Sequence, residues 1–343
     1  RWGYSTNIAW WEIMSEIDNI GCFNKNDLNS TESQSVLTFE HLLYCYFKSK
    51  DPNHLASASC SNSSYNDDPN YNDDFYNLHK YGISENLNRT RAERVGHFIN
   101  KPDNQKRPVI YGEAAEDIAE LNGKIEGCDR ISFHNMLWAT TMMGCAGSGL
   151  NWYWAPLYYA GYFSEMGPLS SFMEGIDFES TKYISNEYKL WPLESFQMRD
   201  DNKTLGMGWV HDRTYYWYSV TKAHDTWGTC LGELDHDGGD PSDVQTCSDY
   251  IYNNVAINGF KSSFWRQHYY KFSWYYTSIN PPLSGIPYYY GSSTQGTNWL
   301  GEIRLITPLM GQSYPDWAYK LNYIGTDKSV QNSTETTIIT PVI

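Results

Sequence analysis

Two short apolar runs, set far apart in the chain, each stop in a glutamate. Residues 7–13 read Asn-Ile-Ala-Trp-Trp-Glu-Ile and give way to polar residues with Glu16 just past the run. Residues 107–112 read Arg-Pro-Val-Ile-Tyr-Gly, and Glu113 follows directly. Each run has the length and apolar content of a buried strand. A carboxylate at the C-terminal end of a barrel strand is where a (β/α)8 fold puts its chemistry. A surface glutamate opening a loop is the alternative for Glu16.

The stretch between and after these runs alternates strands with helices. Thr31-Glu32-Ser33-Gln34 reads as a capping box opening a helix over 31–48, with Val36, Leu37, Phe39, Leu42, Leu43, Tyr46 and Phe47 at helical spacing. A strand is expected over 53–59, followed by a Ser/Asn/Asp-rich loop over 60–74 that reads as a solvated turn region. Phe75-Tyr76-Asn77-Leu78-His79-Lys80-Tyr81 is a further strand with His79 and Tyr81 at its exit. Helices are expected over 88–100 and 129–143. His134 near the start of the latter either faces the cleft or is a satisfied core histidine. Gly149-Leu150-Asn151-Trp152-Tyr153-Trp154 reads as a strand ending in aromatics. Helices over 168–178 and 179–191 close this part.

Two strand-end carboxylates are what glycoside hydrolysis uses: one protonates the leaving oxygen, and the other attacks the anomeric carbon or activates water. The order of exits, W-E-x-x-x-E, then H-x-Y, then G-E, then W-Y-W, resembles the retaining glycoside hydrolases of the family 5 type. It is especially similar to secreted mannanase-like and cellulase-like members. The resemblance spans residues 1–195. It implies the last five strands of a (β/α)8 barrel, with Glu16 as acid/base and Glu113 as nucleophile. It implies that His79 and Tyr81 orient the nucleophile and that Trp152 or Trp154 is the sugar platform. Two departures stand. Ser15 sits where the family carries the Asn that holds the sugar 2-hydroxyl, and Ala114-Ala115 follow Glu113 in place of an aromatic residue and Gly. The first three strands of such a barrel are expected from an upstream segment or a neighbouring molecule, because five parallel strands leave an open edge.

From Met198 onward, period-two alternation replaces helical spacing. Residues 207–211, 215–220, 269–277, 299–307 and 317–323 read as strands with turn signals between them, which predicts an antiparallel β-sandwich over 196–325. The fold expectation is therefore α/β plus all-β. Residues 326–343 form a Ser/Thr-rich tail. Its β-branched Thr336-Thr337-Ile338-Ile339 segment is either disordered or a strand donated to a neighbour, a route to self-association.

Aromatic residues make up 16% of the chain, with 29 Tyr and 14 Trp, which suits sugar-stacking clefts and equally a Tyr-rich β surface. A net charge of −15 repels phosphate backbones and excludes nucleic acid as a natural partner, while a neutral polysaccharide remains compatible. No run of apolar residues is long enough to span a membrane. Seven Cys are present, of which Cys230 and Cys247 flank an acidic Gly-rich loop and are the expected local disulfide. The sequons at Asn29, Asn62, Asn88, Asn202 and Asn332 point to a secreted, extracellular chain. Asp235-His236-Asp237-Gly238-Gly239-Asp240 fails the EF-hand spacing, since Gly239 and Asp240 occupy the places where that loop wants an oxygen ligand and a glycine. A looser structural calcium ion inside this loop stays open. No cofactor and no catalytic metal are expected. The competing class is a non-catalytic glycosidase-like scaffold in an extracellular filament, coat or adhesin.

Overall fold

A computed structural model of the chain describes residues 3, 5–24, 26–61, 73–82, 87–102, 105–116, 128–147, 149–190, 193–212, 255–257, 260–261, 268–275, 277, 289–297, 300, 302–305 and 316–326. The expected strand over 215–220, the Cys230/Cys247 pair, the acidic loop at 235–240, Asn62, Asn332 and the tail lie outside these residues.

The first half is a parallel sheet with its strands in chain order: β1 (Trp10–Met14), β2 (Leu55–Cys60), β3 (Tyr76–Gly82) and β4 (Val109–Glu116). Helix α1 (Thr31–Lys50) connects β1 to β2, and α2 (Leu87–Ile99) connects β3 to β4. Ser30 rather than Thr31 caps α1, its hydroxyl accepting from the Ser33 amide at 3.2 Å. The face of α1 that carries Val36 is buried, whereas Phe39, Leu42 and Tyr46 are exposed. After β4 come α3 (Cys128–Met142), α4 (Trp154–Tyr159) and α5 (Met166–Met173).

The second half is a six-stranded antiparallel sheet in the order β10-β9-β12-β7-β6-β5. It comprises β5 (Tyr183–Leu190), β6 (Leu193–Asp200), β7 (Leu205–Asp212), β9 (Tyr269–Tyr275), β10 (Tyr289–Gly296) and β12 (Asp316–Gly325). Strands β8 (Val255–Ile257) and β11 (Ile303–Leu305) form a separate two-stranded ribbon.

This architecture corrects the expected (β/α)8 barrel followed by a sandwich. Among the described residues the parallel sheet has four strands, and the sheet does not close. The expected fifth strand at 149–154 contributes a single parallel bridge, Asn151 to Ala114. There the Asn151 side-chain oxygen accepts from the Tyr153 amide at 2.8 Å, which turns the chain into α4. The expected helix over 179–191 is instead β5. Its residues pair with β6 from Tyr183–Asp200 through Leu190–Leu193, so backbone bonding to a neighbouring strand overrides the helical reading. Among the described residues the antiparallel strands form one broad six-stranded sheet and a two-stranded ribbon, with helices against the broad sheet, rather than two facing sheets of a sandwich.

Alternation along the antiparallel strands gives that sheet two buried faces. Phe196, Met198, Met207, Trp209 and Ala318 join the core that includes Phe98, Met136, Trp138 and Phe172 of α2, α3 and α5. The same core reaches Tyr76, Leu78 and Tyr111 of the parallel sheet, so helices lie between two sheets. The opposite face gathers Leu193, Val210, Tyr270, Phe272, Trp274, Trp317, Tyr319 and Leu321. Each large side chain so buried contributes about 1.5–3 kcal/mol.

Gly208 of β7 lies opposite Tyr319, whose hydroxyl donates to Gln197 at 3.1 Å. A Cβ at Gly208 would meet the Tyr319 hydroxyl at 2.5 Å and the Phe196 carbonyl oxygen at 2.8 Å. The backbone atom cannot move aside alone. Gly208→Ala is therefore expected to lower stability by about 1–3 kcal/mol, read as a shifted urea midpoint; an unchanged midpoint contradicts this packing.

Candidate functional site

The C-terminal ends of β1, β3 and β4 converge. In a flat sheet β1 and β4 would lie about 14 Å apart, yet carboxylate oxygens of Glu16 and Glu113 and a ring nitrogen of His79 lie within 4.8 Å of one another. Two irregularities aim these side chains. Pairing between β3 and β4 shifts from Leu78–Tyr111 to His79–Glu113, which leaves Gly112 as an extra residue and sets Glu113 beside His79. A Cβ at Gly112 would run into the Asn77 side-chain amide, so a larger residue here would displace that buried side chain. A similar shift in β1 lies between Glu12 and Met14.

Glu16 sits past β1 in the left-handed region, at φ 44 and ψ 58. It is one of two non-glycine residues with positive φ among the described residues. That conformation costs on the order of 1–2 kcal/mol and is held by its surroundings. The Glu16 amide donates to the Ser59 hydroxyl of β2 at 2.9 Å, and the Asn19 amide group donates to Glu16 Oε2 at 2.5 Å. The strained backbone marks the carboxylate as positioned rather than free on a loop.

His79 fills the space between the carboxylates, with its side chain 1% exposed. Its Nδ1 lies 3.0 Å from Glu16 Oε1 and 3.5 Å from Glu113 Oε2, and its Nε2 faces Glu12 Oε1 at 3.8 Å. The Tyr81 hydroxyl donates to Glu113 Oε2. Burial, that hydrogen bond and the charges of Glu113 and Glu16 all push the Tyr81 phenol up, so it stays a proton donor. Tyr153 adds to the same effect and so lies close to Tyr81.

The aromatic segment borders this cluster. Ala114 donates to the Leu150 carbonyl, and Trp152 donates back to the Ala114 carbonyl at 3.2 Å. Trp152 is 53% and Trp154 64% exposed, and Tyr158 and Tyr159 continue the exposed aromatic surface along α4. Ser15 is exposed next to Glu16.

His134 does not join the site. It is buried on α3, with Nδ1 3.0 Å from Glu165 and Nε2 3.2 Å from Asp316, in the core between α3 and the antiparallel sheet. Asn29 and Asn202 are exposed in turns, and Asn88 lies in α2. Cys22, Cys45 and Cys145 carry free thiols; burial pushes the Cys145 thiol up to about 12.

Glu12, Asn19, Ser59 and Tyr153 complete the cluster and escape a reading by strand-end carboxylates alone. Glu12 had a signal: it is the first glutamate of W-E-x-x-x-E, and four residues bring it to the other side of His79. Asn19 and Ser59 carry none, since each acts through a turn or a neighbouring strand.

Chemically, the cluster offers two carboxylates at short range, a buried imidazole between them, a phenol donor and an open aromatic margin. Such a set can transfer a proton and supply a nucleophile, or hold a cation. Compared with protein-family models and with curated proteins, the chain matches none. Among the described residues, no helix is long and apolar enough to cross a membrane.

Proposed function

We propose that the chain is a secreted retaining β-glycoside hydrolase acting on a neutral polysaccharide such as β-mannan or β-glucan. The observation that carries this reading is the approach of Glu16 and Glu113 to within 4.8 Å, oxygen to oxygen. Retaining pairs stand about 5–5.5 Å apart, whereas inverting pairs leave roughly 6.5–9.5 Å for a water. The order of motifs that resembles family 5 glycoside hydrolases supports the same pair.

Glu113 accepts the Tyr81 hydrogen bond, which orients it for the role of nucleophile. Glu16, in its acid form, protonates the glycosidic oxygen as Glu113 attacks the anomeric carbon. The aglycone leaves and a glycosyl ester forms on Glu113. Glu16 then takes a proton from water, which attacks the same carbon and frees Glu113 with the configuration restored. His79 spaces the two carboxylates. Trp152 and Trp154 offer faces on which pyranose rings stack. The net charge of −15 favours a neutral rather than an anionic sugar chain.

Purified full-length chain is expected to generate new reducing ends from at least one β-mannan or β-glucan while remaining monomeric. The second reading, an extracellular scaffold, draws on the exposed Phe39, Leu42 and Tyr46 of α1 and on the open edge at β1. Polymers that form without release of reducing ends would favour it and overturn the enzyme.

Tyr81→Phe removes one hydrogen bond to a charged acceptor, a loss of about 1.5–3 kcal/mol. It is expected to lower kcat roughly 10- to 100-fold with KM little changed. An unaltered kcat would show that Tyr81 does not tune Glu113.

A further inference from the structure

The three groups at the centre of the site have the donor types and spacing of an open metal site. His79 Nδ1 stands 3.0 Å from Glu16 Oε1 and 3.5 Å from Glu113 Oε2. Ligands bound to zinc at about 2.0–2.1 Å in a tetrahedron lie about 3.3 Å from one another. Both His–Glu separations therefore already match a tetrahedral edge, and the two carboxylates have only to close toward each other.

Each ligand also has a neighbour that orients it. Asn19 holds Glu16 Oε2, leaving Oε1 toward His79. Tyr81 donates to Glu113 Oε2, whose second lone pair is available. Glu12 faces His79 Nε2 at 3.8 Å, behind the ring, while Nδ1 faces the two other acids. A carboxylate behind a ligating imidazole is the usual outer partner in zinc sites. The His79 ring is buried, and its Nδ1 points at both acids.

We infer that Glu16, His79 and Glu113 bind one divalent transition-metal ion of zinc type, and that the bound ion blocks hydrolysis by occupying both carboxylates. Binding follows from the ligand geometry alone; only the block rests on the glycosidase reading. Three protein ligands leave a fourth position open to water.

The test is calorimetric titration of the full-length chain with zinc chloride. A rival site exists on α1, where Cys45 Sγ lies 3.6 Å from His41 Nε2, so Cys45→Ser is titrated alongside. The wild type and Cys45→Ser are expected to take up the ion alike. Glu16→Gln and Glu113→Gln are each expected to weaken uptake at least about tenfold, the least that loss of even an outer partner causes. Circular dichroism shows that both variants remain folded. Cobalt in place of zinc is expected to give ligand-field bands without thiolate charge transfer. No zinc uptake by the wild type, uptake unchanged in both glutamate variants, or uptake lost in Cys45→Ser would overturn the site. Saturating zinc that leaves hydrolysis untouched would overturn the block, whereas zinc uptake by a chain that hydrolyses nothing would overturn the glycosidase reading and leave the metal site standing.

Discussion

Glu113→Gln is expected to abolish glycoside hydrolysis, with kcat falling on the order of 10⁴-fold or more, while the fold survives. Glutamine keeps the shape of the side chain and an oxygen that accepts from Tyr81, so the hydrogen bond that orients it persists. What it loses is the nucleophile: a neutral amide cannot form the glycosyl ester. The exchange conserves volume and leaves the backbone untouched, so stability is expected to stay level. Kinetics on the polysaccharide that the wild type cleaves, with thermal unfolding of both proteins, checks both statements. Full activity in Glu113→Gln removes this residue from the reaction.

The largest effect on stability is expected at His134. Burial alone would pull its pKa down, but Asp316 and Glu165 outweigh that cost and raise it from 6.5 to about 9. The imidazolium in turn holds Glu165 and Asp316 below their ordinary values, against burial that raises them. Asp316 also accepts from the Trp209 indole at 2.9 Å, and Glu165 from Arg130 at 2.7 Å. The cluster therefore ties α3 and the turn before α5 to β7 and β12. His134→Ala leaves two buried carboxylates short of their cation and is expected to cost about 3–5 kcal/mol.

The pH dependence follows from the same contacts. The folded value of His134 lies above its unfolded one. Its contribution, about 3 kcal/mol, is fully present below pH 6.5 and is lost as pH rises through about 9. Glu165 and Asp316 act in the opposite direction, and their contribution fades only as acid protonates them. Urea midpoints for the wild type are expected to fall between neutral and alkaline pH, with a shallower fall in His134→Ala. Equal slopes in the two proteins would contradict a charged His134.

The candidate site is more legible in the sequence than the fold around it. Glu16, His79 and Glu113 were legible because each stands at the exit of a short apolar strand, and parallel strands bring their exits to one side. The bulge at Gly112 was not legible, because it exists only in the pairing of β3 with β4. Strand β5 has a helical spacing for a physical reason. As an edge strand it is half-buried over most of its described side chains, with Ser185 buried among them, so it lacks apolar alternation. The expected fifth barrel strand ends at Asn151, where one side-chain hydrogen bond turns the chain into a helix after a single bridge. His134 was expected either at the cleft or in the core. Its partner Asp316 lies 182 residues away, a contact no local pattern announces.

A retaining pair of Glu16 and Glu113 sets the stereochemistry of the first product. The most direct measurement is proton NMR of the anomeric signals during cleavage of a β-mannan or β-glucan by the full-length chain. The β-anomer is expected to appear first and the α-anomer only later, by mutarotation. An α-anomer formed first, or no new anomeric signal from either polysaccharide, would contradict the account.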